Sequence, residues 1–140
     1  MKGLYAVKIT SYADLIKAAY AQPEPQRLLF VFAEAELPSK HSAAQKERFH
    51  AKSGGALTPI MCVDKLPNEA ADFASLVEES RQMERNWDIV FVASMSGHNG
   101  KVPDSREADQ PLQAMVESIK SGSIKNYLTF NRNGELVQLK

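Results

Sequence analysis

Residues 28–32 read Leu-Leu-Phe-Val-Phe, an unbroken apolar run with no polar residue for either side of a pleat. A strand of that kind has to be covered on both faces, which is the habit of parallel strands flanked by helices. "PIMCVD" at 59–64 and "DIVFVAS" at 88–94 repeat the pattern. Stretches of helical spacing separate the three runs, so the expectation is a series of β-α-β crossovers. Pro59 lacks a backbone donor and can only begin its strand or sit on an edge.

The intervening segments have their own signals. Ser11 to Asp14 reads as a capping-box-like helix start, with Leu15, Ile16, Ala19 and Tyr20 as an apolar stripe. "QPEPQ" ends that helix. Residues 43–51 form a short, basic helical stretch closed by "KSGG". Asn68 reads as an N-cap ahead of an apolar face made by Phe73, Leu76, Val77 and Met83. Leu112, Met115, Val116 and Ile119 follow the i, i+3, i+4, i+7 rule, with Pro111 suited to the first turn and Gly122 to the position past the end. Asn133-Gly134 between two apolar runs predicts a type I′ hairpin. Residues 1–10 offer a further strand that the pattern leaves open. The expected architecture is α/β: a single three-layer domain over 1–140, with a mixed, mostly parallel sheet of about five strands. It has a C-terminal β-hairpin and helices on both faces.

Charge and cysteine content narrow the function classes. Lys plus Arg and Asp plus Glu number 17 each, so no net field draws the chain to nucleic acid or an anionic membrane. The basic run Lys40, Lys46, Arg48 and Lys52, with His50, reads as a solvated face. No apolar run is long enough to cross a bilayer, and the apolar stretch near the N-terminus is too short for a signal-peptide core. The single cysteine, Cys62, excludes an internal disulfide and a Cys-based zinc cage, and inside an apolar strand it reads as a small hydrophobe. The expected setting is the cytoplasm. Trp87 reads as a packing residue at a helix-strand junction.

In open parallel sheets, ligands gather beyond the carboxyl ends of the strands. That rule nominates Glu34, Glu36, His41, Asp64, Ser96, His98 and Lys101 as candidate ligand-binding residues. The connection from Ser94 to Gln110 is the longest and carries the last three, although Asp104-x-x-Glu107 could open a helical turn within it. "SGHNGKV" is not a P-loop, because its glycines are three apart and Val102 replaces the hydroxyl residue. Gly97 and Gly100 are expected to supply positive φ in that loop, and Lys101 an anion contact at most. His41, His98, Asp64 and Glu34 lack metal-ligand spacing, so no metal and no cofactor is expected. No catalytic set is nominated either.

Three segments, "QPEPQRLLFVFAEAELP", "GGALTPIMCVDKLP" and "LVEESRQMERNWDIVFVASMSG", resemble a small uncharacterised bacterial protein family. Some of its members are labelled ribonucleotide reductase subunit alpha. The resemblance covers most of the chain after residue 10, including "AMVESIKSGSI", and brings no catalytic motif. Reductase catalysis itself is rejected, since it needs a radical thiol plus a reducing thiol pair and a far longer chain, against one cysteine here. The functional expectation is a non-catalytic accessory or interaction protein, meeting an unknown protein partner or self-associating through the hairpin edge. The alternative is a small-molecule- or anion-binding domain, or a modest enzyme, using the loops above.

Overall fold

The computed structural model describes residues 9–35, 57–83 and 86–137. Among these, the chain forms strands β1 (Gln26–Ala35), β2 (Leu57–Lys65), β3 (Ile89–Ser96) and β4 (Leu128–Asn131). Helices α1 (Tyr12–Tyr20), α2 (Phe73–Ser80) and α3 (Ser105–Lys120) accompany them. Residues 1–8 and the basic stretch at 43–51 lie outside the described residues.

The mostly parallel sheet of about five strands is overturned. The described strands form one four-stranded sheet in the order β2-β1-β3-β4, and every neighbouring pair is antiparallel. The misreading has a specific source. Both β2 and β3 run opposite to β1 and therefore parallel to each other, and α2 lies between them in sequence, as in a β-α-β unit. The two are not neighbours, however, because β1 lies between them. Burial on both faces is an observation about side chains and does not fix strand direction.

The side-chain pattern itself follows period 2. Leu28, Phe30 and Phe32 of β1 pack with Val90, Val92 and Phe130 against Leu15, Ile16, Leu76 and Trp87. The alternate residues Leu29, Val31 and Ala33 pack with Phe91 and Ala93 against Ala108, Leu112, Met115 and Ile119 of α3. Each residue of the run at 28–32 thus has apolar neighbours on its own side, and all five are essentially excluded from solvent.

Local chemistry sets the helix ends. Ser11 caps α1 through its hydroxyl, which accepts from the Asp14 N–H at 3.1 Å. Asp104 and Glu107 form a reciprocal capping box, so α3 starts at Ser105 and not at Pro111, which sits inside the helix. The preceding connection shrinks accordingly. Asn68 lies in a single 3-10 turn, Pro67–Glu69, and Asp72 is the cap position of α2. The C-terminal hairpin is also built differently from the expectation. Gly134 N–H bonds to the Asn131 carbonyl and Asn131 N–H to the Glu135 carbonyl, with Gly134 alone at positive φ, +81°. That is a three-residue loop ending in a glycine bulge.

Tyr12 joins the first helix to the core. Its hydroxyl donates to the Ala70 carbonyl, and its ring meets Phe73 and Phe130 edge-on at 4.9 and 5.5 Å. Burial, reinforced by the nearby Asp72 charge, pushes its phenol well above the ordinary value. The phenol is thus held protonated in the fold while an unfolded chain would ionise near pH 10. The stability it contributes is complete below that pH and is lost as the pH climbs above it. Urea unfolding at pH 8 and pH 10.5 should show a drop in midpoint that is clearly smaller in Tyr12→Phe.

Candidate functional site

Antiparallel pairing disperses the residues nominated from the sequence. Glu34 lies near the carboxyl end of β1, opposite Thr58 at the start of β2. Asp64 pairs with Leu29, five residues back along β1, roughly 17 Å away at the usual rise of a strand. Asp64 and Ser96 do share one end of the sheet, but on opposite faces. Asp64 bonds to Arg27 and Ser96 to Gln26, which are consecutive on β1 and point to opposite sides. Glu36 and His41 lie outside the described residues.

Each of the described candidates at this end has a local task. The Arg27 guanidinium meets Asp64 Oδ2 at 2.6 Å and donates through Nε to the Pro103 carbonyl at 2.5 Å. Ser105 donates to the same carboxylate oxygen at 2.6 Å. Both charged side chains are mostly covered, with 12% and 17% exposure. The cluster therefore ties β1, β2 and the start of α3 together. On the other face, the Gln26 side chain accepts from Ser94 at 2.5 Å and donates to Ser96 at 2.9 Å. A carboxamide and two hydroxyls here satisfy one another inside the sheet.

His98 and Lys101 belong to a two-residue turn. Each donates its N–H to the other's carbonyl at 3.0 Å, with Asn99 and Gly100 between them at φ of +54° and +79°. That is the type I′ geometry that Asn-Gly favours. The type I′ turn forms at Asn99-Gly100 and not at Asn133-Gly134, where the sequence pattern predicts it. The deciding signal was the length between the flanking residues, which "HNGK" keeps at two. Gly97 plays a part other than the positive φ expected of it. Its N–H donates to the Pro25 carbonyl at 2.7 Å, and a β-carbon there would overlap the Lys101 carbonyl oxygen. Gly97→Ala should therefore lower stability by about 2 kcal/mol, the range for forcing an atom into a packed site. Urea unfolding checks it, and a loss below 0.5 kcal/mol, roughly the scatter of neutral surface changes, would contradict this account.

A concave feature lies elsewhere, on the α2 side of the sheet. A cleft of about 470 Å³ runs between β2 and the α2 segment. Phe32, Met61, Val63 and Leu76 supply its apolar surface, and Met83, 51% exposed, stands at its rim. Lys65 and Glu79 close one end with a 2.7 Å ion pair. None of these but the neighbouring Asp64 was nominated from the sequence. The signal that could have found them is Pro59, which marks β2 as an edge strand.

The edge itself has two halves. Phe32 pairs with Met61 and Ala33 with Pro59, so Ile60 is the extra residue of a β-bulge. Proline and bulge together blunt the first half of the strand. From Met61 to Lys65 the register with β1 is regular, and among the described residues no strand pairs with the outer side. The opposite edge is partly occupied by the chain's own residues. Leu136 bridges to Phe130, Glu135 to Ser11, and the Val137 N–H donates to the Thr129 carbonyl at 2.9 Å.

Cys62 sits in β2, partly exposed, and packs against the α3 side. Burial, with Asp109 and Asp64 nearby, pushes its thiol above the ordinary value, opposite to the shift a nucleophile needs. Among the described residues, no group of three or more His, Cys, Asp or Glu side chains is placed to hold a metal ion. No described helix is long and apolar enough to cross a membrane. Comparison with known protein families, with characterised proteins and with solved structures gave no match.

Proposed function

We propose that this chain is a non-catalytic interaction domain that takes an extended segment of a partner protein along Met61–Lys65. The observation that carries the reading is the cleft, apolar along Phe32, Met61, Val63 and Leu76, lying beside the side of β2 that no strand pairs with among the described residues. An open strand edge presents N–H and C=O groups at fixed spacing, and an extended backbone is their natural complement. Side chains of such a segment alternate, so every second one would face the cleft. The polar candidates support the same reading from the other direction, since Asp64 and Ser96 have hydrogen bonds within the chain. A cytoplasmic setting is part of the proposal, in keeping with a lone free thiol. The size of the cleft also suits a small apolar ligand, the second reading.

A titration followed by amide NMR tests the proposal, with seven-residue peptides alternating Val and Thr as the probe and scrambled peptides of equal composition as the control. Shift changes should concentrate in Met61–Lys65 and in 76–83. Met83→Glu, at an exposed rim position, should weaken binding at least tenfold, about 1.4 kcal/mol. Equal response to scrambled peptides, or none at millimolar concentration, would sink the strand-addition reading. Light scattering on the free protein identifies the case in which a second copy takes the edge.

A further inference from the structure

We draw no further inference here: the strongest candidate, the Arg27–Asp64–Ser105 cluster where β1, β2 and α3 meet, has its charged groups bonded to one another and to the Pro103 carbonyl, and so belongs to the framework already described, with no second observation pointing to a ligand.

Discussion

Trp87→Ala should remove about 3–5 kcal/mol of stability, the range for truncating a large aromatic in a closed core. The indole is 1% exposed and lies two residues ahead of β3, where other elements converge on it. Its ring meets Phe32 edge-on at 4.9 Å and Phe73 at 6.5 Å. Its N–H donates to the buried Ser80 hydroxyl at 2.8 Å, tying α2 to the sheet. The Arg132 guanidinium lies 5.3 Å from the ring centroid, so the C-terminal hairpin loop rests on the same side chain. Trp87→Phe separates these contributions. It keeps most of the ring contacts, and Ser80 still donates to the Val77 carbonyl, so the loss should fall to about 1–2 kcal/mol. Urea unfolding of both variants decides the matter, and equal losses would mean that volume is not what the site depends on.

The Arg27–Asp64 pair should behave as a coupled unit. Removing either partner leaves a mostly covered charge without its counter-ion, so Arg27→Met and Asp64→Leu should each cost about 3 kcal/mol. The double variant removes both charges and should recover most of that loss, because apolar groups of similar volume replace a pair that had to be stripped of water. A double variant as unstable as the sum of the two singles would show that the pair acts only through independent packing. Ser105 keeps its hydroxyl in every variant and loses its acceptor only when Asp64 is replaced. Arg27→Met in turn leaves the Pro103 carbonyl without its Nε donor, so each single change removes one hydrogen bond besides the ion pair and the comparison with the double variant carries the test.

Burial was far more legible in the sequence than direction. The run at 28–32 announced strand residues covered on both sides, and each of them is enclosed. Nothing in that run records which way its neighbours point, because antiparallel pairing and helix cover satisfy the same side chains. The β2–α2–β3 succession then imitated a crossover between adjacent strands, while β1 occupied the place between. The same adjacency separates candidate residues that a parallel sheet would gather at one edge. The rule used to nominate residues assumes that all strand carboxyl ends share one edge, and β1 reverses it, carrying Glu34 away from Asp64. Turn chemistry failed more narrowly. Asn99-Gly100 and Asn133-Gly134 look equivalent as dipeptides, but only the first has the spacing of a two-residue loop. The cleft could not be read from its residues one by one, since Met61, Val63, Leu76 and Met83 look like ordinary core positions.

The central place of β1 also has a consequence during synthesis. Phe30 pairs with Cys-adjacent Val63 on one side and with Val92 on the other, 33 and 62 positions later in the chain. At roughly 5–20 residues per second, the second of these neighbours emerges about 3–12 s after β1 itself. For that interval the apolar run at 28–32 has neither its second strand nor the α3 cover that follows it. A nascent chain of this design is exposed to sticking at that stage, and translation speed between residues 35 and 96 becomes a variable that governs how much of it reaches the native state.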